Sequence, residues 1–364
     1  MKICIFGTAW FDDYYSRNPG ICKALSQTGH EIEMCTFAGL YRGQKWRKIL
    51  WLMETPIRWL VLLSGIRKIR HADILYLPYP AFIDIWPALL LKKTLGIKIY
   101  LDVFIGLYDS IIRDRKLTTR SIPGKLIFMY ERFVLGSVDR CYIDTIFHKK
   151  MLVDDYRLPD DKVFVIPNPI AEDIWSAPGT CDDKSGVIFW GTYIPLHGIE
   201  TIIGAAGILQ DRGSPIKLRL VGNGQELVKM QNLASDMGLM NIDFVADFIP
   251  MPELKALADQ AICVLGIFSA SDKADRVIPY KIAQALCASL PVITASTSAT
   301  RDLAGETGGL YLIPPANANA LAEAIIEVCN DEAARNRLSE SGRRIFNERL
   351  SRKAIQAMVT RAFK

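Results

Sequence analysis

What is scarce in this chain narrows it first. Histidine occurs four times, at positions 30, 71, 148 and 197, and no two stand at metal-ligand spacing. The eight cysteines, at 4, 22, 35, 141, 181, 263, 287 and 329, form no Cys-x-x-Cys pair. Most sit in apolar runs, which predicts reduced core thiols in a cytoplasmic protein rather than a zinc ribbon or a disulfide scaffold. No stretch reaches the ~18 apolar residues a spanning helix needs. Ile49 to Ser64 comes nearest and is interrupted by Glu54, Pro56 and Arg58. The opening Met1-Lys-Ile-Cys-Ile-Phe-Gly has too short an apolar run for a signal peptide and reads as a strand. Excess charge is also small: 44 Lys+Arg against 39 Asp+Glu leaves +5, which does not argue for nucleic acid. No Ser-His-Asp or Cys-His set can be assembled, and there are no tandem repeats.

What is present is apolar and alternating. The 364 residues are 50% hydrophobic with mean hydropathy +0.15, enough for more than one core. Short apolar strands are expected at 2–6, 31–37, 74–77, 98–101, 140–144 and 163–166, with helices at 20–28 and 82–95. After a polar linker, Ala177-Pro-Gly-Thr-Cys-Asp-Asp-Lys-Ser-Gly, the pattern restarts with strands at 186–190, 217–221, 242–245, 262–265, 291–294 and 309–312. Short strands separated by helices predict parallel, doubly wound sheets. The expected division is 1–168 and 169–345, two Rossmann-like α/β halves, with a helical end at 346–364.

Open α/β sheets bind ligands at the carboxyl ends of their strands. Gly7-Thr-Ala-Trp10 and Gly191-Thr192-Tyr193 follow the first strand of each half. Gly7 supports two readings, a ligand loop or a tight turn. Gly191 favours a ligand loop, because Pro195, His197 and Gly198 shape the same segment. Gly222-Asn223-Gly224 is a weaker signal and lacks the full dinucleotide fingerprint. The segment Ala270 to Ala295 carries more. Pro279, between Ile278 and Tyr280, closes a polar loop and opens a helix with Lys281 and Gln284 on it. Helix N-termini attract anions, and Arg276 and Lys281 add cations there, which is a design for phosphate. A solvated surface lysine is the bland alternative for Lys281.

These pieces resemble glycosyltransferase family 4, retaining nucleotide-sugar enzymes of GT-B fold. Gln284-Ala-Leu-Cys-Ala-Ser-Leu-Pro-Val is similar to the family's Glu-Ala-Met-Ala and Gly-x-Pro-Val. Val165-Ile-Pro-Asn-Pro resembles its Ile-Pro-Asn-Gly, Trp190 to Ile199 its Gly-Arg-x-x-x-x-Lys-Gly loop, and Leu220-Val-Gly-Asn-Gly its Val-Gly-x-Gly. The resemblance implies two Rossmann-like domains facing across a cleft, with donor binding in the second. It also implies a last helix packed back on the first domain, and a nucleobase near the strand exit at Phe248. It further implies that the departing diphosphate takes the acceptor proton. No metal or cofactor is required by anything in the sequence. The chain departs from the pattern at five places, one of them Ser289 in place of the glycine. Thr192 and His197 stand where the family has the loop arginine and lysine. Gln284 replaces a glutamate, and Arg276 falls near an acid. Phosphate binding is therefore expected from Arg276, Lys281, loop amides and a protonated His197, with Asp272 or Asp275 supplying a carboxylate.

On the acceptor side, Asp102 ends a strand and is either a substrate carboxylate or a helix cap. Between Arg42 and Arg70 there are eight Lys/Arg against Glu54, with Trp46, Trp51 and Trp59 among them. This basic, aromatic stripe suits an anionic membrane surface on the cytoplasmic side, or an ordinary solvated helix pair. The reading is a nucleotide-sugar glycosyltransferase with a glycan or lipid-linked acceptor. A catalytically silent subunit of the same fold and a sugar epimerase are the other readings.

Overall fold

The computed structural model describes residues 1–11, 16–37, 54–113, 122–177, 179 and 184–364. The chain forms two compact units, one of Met1–Pro167 with Ile355–Lys364, the other of Asn168–Ala354.

The first unit holds a six-stranded parallel sheet. Its strands are β1 (Lys2–Thr8), β2 (Glu31–Phe37), β3 (Ile74–Leu77), β4 (Lys98–Asp102), β5 (Arg140–Ile143) and β6 (Val163–Val165), in the order β2-β1-β3-β4-β5-β6. Interior strands are largely buried on both faces, which is why they read as apolar runs, and the edges β2 and β6 are partly exposed. Side chains alternate between two cores. Cys4, Phe6, Leu75 and Leu101 face Leu62, Leu91, Val134 and Leu152, so the helices Thr55–Ser64, Ile85–Leu95, Ile122–Ser137 and Ile146–Tyr156 cover one side. Ile3, Ile5, Tyr76 and Tyr142 face Ile21 and Leu25 of the helix Arg17–Ser26 and Ile355, Val359 and Phe363 from the chain's end. Phe363 stacks on Tyr142 with centroids 5.0 Å apart. Of the segment expected at 346–364, only Ile355 onward belongs to this unit; Phe346 and Leu350 pack in the core of the other.

The second unit repeats the architecture with β7 (Val187–Trp190), β8 (Leu218–Val221), β9 (Ile242–Val245), β10 (Cys263–Leu265), β11 (Val292–Ala295) and β12 (Tyr311–Ile313), ordered β12-β11-β10-β7-β8-β9. The winding reverses between β7 and β10. Their carboxyl ends therefore border the crevice in which such sheets bind ligands.

Two expectations for the first unit need correction. Asp102 is wholly buried, and its carboxylate is committed inside the protein. Arg17 Nε donates to both of its oxygens at 3.0 and 2.8 Å, and Tyr76 Oη donates to Oδ2 at 3.0 Å. Arg17 also reaches the Ile166 carbonyl, at 2.9 Å. Asp102 thus ties the start of the first helix to β3 and β4 and is not a substrate carboxylate. Arg58, counted in the basic stripe, is likewise buried. Its Nε lies 3.3 Å from Asp84 Oδ1, and the other Asp84 oxygen accepts from Thr8 N at 2.6 Å. A Cβ on Gly7 would stand 3.1 Å from Asp84 Oδ2, and φ there is +107°, so close packing near the end of β1 accounts for this glycine. Arg42, Lys45, Trp46, Arg47, Lys48 and Trp51 lie outside the described residues. Seven cysteines are free thiols; Cys181 is outside the described residues.

Removing one member of a buried pair leaves the other charge uncompensated. Arg17→Met is expected to lower the unfolding free energy by about 3–5 kcal/mol. Arg17→Met with Asp102→Asn should regain much of that loss. Urea unfolding followed by circular dichroism measures both, and an unchanged midpoint for Arg17→Met contradicts the pairing.

Candidate functional site

At the carboxyl end of β7 the chain turns through Gly191 at φ +147°. This loop lies backbone to backbone on the one after β8. A Cβ on Gly222 would fall 2.1 Å from the Gly191 carbonyl oxygen, and one on Gly224 2.5 Å from Tyr193 N. Tyr193 N donates to the Asn223 carbonyl at 3.0 Å, and Glu226 N to the Tyr193 carbonyl at 3.0 Å. Asn223 is exposed, and its Oδ1 accepts from Gly224 N at 2.7 Å. Glycines at these positions therefore serve close approach, beyond what an ordinary turn needs.

After Pro195–His197, a single 3-10 turn, Gly198 in the left-handed region (φ +61°) opens the helix Ile199–Asp211. Gly198 is pressed against the strand exit of β10, with its Cβ position 2.5 Å from Ser269 N. Phe268 N donates to the His197 carbonyl at 3.0 Å. His197 is thereby pinned at the reversal point of the sheet.

Lys281 arrives from the other side. Ser271 caps the short helix Asp272–Arg276, Pro279 caps the helix Tyr280–Cys287, and Lys281 lies in the first turn of the latter. It is 4% exposed, so it is not a solvated surface lysine. Its Nζ sits 3.8 Å from the Phe189 ring centroid and makes no hydrogen bond among the described residues. A Cβ on Gly191 would lie 3.1 Å from both Lys281 Nζ and His197 Cε1. The bare Gly191 backbone is thus what allows loop, imidazole and amine to meet.

The electrostatics correct one expectation. Burial pushes the Lys281 amine well below the ordinary lysine range. Burial, and then the neighbouring Lys281, push His197 well below the ordinary histidine value, partly offset by a bond to the Thr192 backbone. His197 in the ligand-free protein is therefore neutral rather than an imidazolium, because two cations in a dry pocket have nothing to balance them. His197 Nδ1, too, is buried without a partner. Two nitrogen groups left unsatisfied beside glycine loops form a pocket that an anion completes. An arriving negative charge would favour the protonated form of both.

The remaining sequence candidates scatter. Thr192 is exposed on the Gly191 loop. Arg276, Ile278 and Tyr280 are half-buried around Pro279, on the stretch leading to Lys281. Phe248 is exposed after β9. Gln284 is buried, and its Oε1 accepts from Trp190 Nε1 at 2.9 Å. This bond holds the helix to β7. Asp275 is half-buried and accepts from Ser298 N at 2.7 Å, leaving Asp272 as the exposed acid of that helix. His148 pairs with Asp144, Nδ1 to Oδ1 at 2.6 Å, both buried, at the end of β5. Sequence reading missed Phe189. It lies in the middle of a strand, where no motif distinguishes a residue that seats a cation from one that fills the core.

Comparison with known proteins agrees with this geometry. Residues 173–345 match the family model described as glycosyl transferases group 1. The matched segment lies within the second unit. The chain is similar to the amylovoran biosynthesis glycosyltransferase AmsK of Erwinia amylovora, 26% identical over 137 residues, covering 37% of this chain and 34% of that protein. It spans between a third and a half of the length of the curated relatives it matches. Among solved structures, a sucrose-phosphate synthase from Thermosynechococcus elongatus superposes with a TM-score of 0.74 at 16% identity, over 100% of this chain and 98% of that one. The HepE protein of Anabaena in complex with UDP-glucose gives 0.72 at 12% identity, over 100% and 99%. The fold is GT-B, with two Rossmann-like units.

A buried donor without a partner costs about 1–3 kcal/mol. Lys281→Met is therefore expected to stabilise the ligand-free protein by a similar amount. The sign with pH follows from the depressed folded value. The unfolded lysine stays protonated up to about 10.5, whereas the folded one gives up its proton at lower pH. The penalty in the wild type accordingly shrinks as pH rises, and so does the gain from Met. Melting curves across pH measure this. A variant less stable than wild type at neutral pH contradicts the assignment.

Proposed function

We propose that the protein transfers a sugar from a nucleoside-diphosphate sugar to an acceptor hydroxyl, with the donor diphosphate held at Gly191, His197 and Lys281. The observation that carries this reading is the buried, unpartnered Lys281 amine facing the bare Gly191 backbone. It is supported by the group 1 match over the same unit and by the UDP-glucose complex of a protein of this fold. Arg276, at the edge of the same stretch, adds a second cation for the leaving group.

Little covalent chemistry is asked of the protein. The loop amides, His197 and Lys281 orient the donor and offset charge as the sugar–phosphate bond breaks. Lys281 becomes cationic as the diphosphate binds, and its interaction strengthens as negative charge gathers on the leaving oxygen. The departing diphosphate takes the acceptor proton and the sugar is transferred with retained configuration; both features rest on the family resemblance. A hexosyl donor with UDP as carrier is the favoured substrate. A glycan or lipid-linked acceptor fits the polysaccharide named for AmsK. A silent binding subunit is the weaker reading, because the pocket keeps its buried amine, which such a subunit has no need of.

Lys281→Met should keep the fold and lose about 2–4 kcal/mol of transition-state stabilisation, roughly 30- to 1,000-fold in kcat/KM. The assay is release of UDP from UDP-glucose, with and without acceptor, beside a thermal-shift panel of nucleotide sugars. Wild type should be stabilised by at least one nucleotide sugar and the variant much less. Equal shifts in both proteins, or near-normal turnover in the variant, would overturn the role of Lys281. If no nucleotide sugar shifts the wild type, the transferase reading fails.

A further inference from the structure

The helix Ile122–Ser137 buries Val134 and Leu135 in the sheet core and turns a second apolar stripe outward. Ile122, Leu126, Met129 and Phe133 are 75, 61, 65 and 44% exposed. Their spacing of four, three and four residues aligns them on one helical face. The neighbouring helix Ile85–Leu95 continues the surface. Trp86 stacks on Phe133 with centroids 5.3 Å apart, and Leu90 is 53% exposed. Both helices lie on the same side of the sheet, since their inner faces share one core. Contiguous apolar surface of this extent marks an interaction site.

The exposed charges on the two helices have one sign. Lys93, Lys125 and Arg132 are exposed on these two helices, and the helices carry no exposed carboxylate. Glu131, the one acid in either helix, is buried. It accepts from Leu107 N and Tyr108 N at 2.8 and 2.9 Å and from Tyr156 Oη at 2.7 Å. A second copy of the chain is a poor occupant. A two-fold interface sets the same patch against itself and brings these cations together with nothing to offset them. An anionic bilayer supplies what the patch lacks, negative headgroups for the rim and acyl chains for the stripe, with Trp86 and Phe133 at interfacial depth.

We infer that the outward face of Ile85–Leu95 and Ile122–Ser137 is a docking surface for an anionic lipid bilayer. The inference goes beyond the transferase reading and stands without it. No helix among the described residues is long and apolar enough to cross a membrane, so the mode is surface contact. It also differs from the stripe expected at 42–70, of which Arg58 is buried in the core.

Co-sedimentation of the full chain with phosphatidylcholine vesicles, with and without phosphatidylglycerol, tests it. Wild type should pellet with the phosphatidylglycerol vesicles and be released by high salt. Replacing Lys93, Lys125 and Arg132 by Gln should weaken partitioning roughly 100-fold. Leu126→Gln with Met129→Gln should also weaken it, at least tenfold. Both variants should retain the wild-type melting curve and the wild-type response to UDP-glucose, which reports on the other unit. Three outcomes overturn the proposal. These are wild type ignoring phosphatidylglycerol vesicles at low salt, wild type binding phosphatidylcholine equally well, and a dimer that the Leu126 and Met129 substitutions dissociate.

Discussion

The second unit depends on one costly arrangement, a lysine amine kept out of water with no hydrogen-bond partner among the described residues. Burial holds the Lys281 amine well below the ordinary lysine range, and burial first, then the Lys281 charge, pushes His197 well below the ordinary histidine value. The folded chain tolerates this because the surroundings compensate. Phe189 offers its ring face to the amine, and Gln284 pins the lysine-bearing helix to β7 through Trp190. Gly191, Gly222 and Gly224 let two loops meet at distances no Cβ would permit. A site held this way is prepared for an anion before one arrives, and preparation of that kind is what lowers reorganisation during the reaction.

The loss of the loop arginine and lysine of the resembling family reads differently in this light. Thr192 is exposed, yet its backbone helps to fix His197. The loop holds a neutral imidazole where the pattern has a fixed cation. Positive charge at the site is thereby made conditional on the ligand, with Lys281 and His197 available to take it up. Arg276, outside the dry pocket, remains the permanent charge nearby.

Much of the fold was legible in the sequence. Parallel strands covered on both faces become continuous apolar runs, and glycines follow β7 and β8 where the loops need them. Gly191 and Lys281 could be singled out because a glycine-rich strand exit and a proline-opened helix are local features. The rest was not local. Asp102 and Arg58 look like surface or catalytic charges until Arg17, Tyr76 and Asp84 are placed beside them, 85, 26 and 26 residues away in the chain. The charge state of His197 depends on an amine that reaches it only through the fold. The outward stripe of Ile122–Ser137 was hidden for the same reason: in a chain half hydrophobic, only the position of the sheet tells an inward leucine from an outward one.

Carbon-13 NMR of the lysine Cε resonances, with Lys281 assigned by its absence in Lys281→Met, follows the proton on this amine directly. Titrated in the free protein, the Lys281 resonance should report a midpoint well below the ordinary lysine value. With UDP bound, the midpoint should move upward, as the diphosphate draws the proton back. A Lys281 that titrates like a surface lysine in the free protein, or one whose midpoint does not move with UDP, would contradict the account.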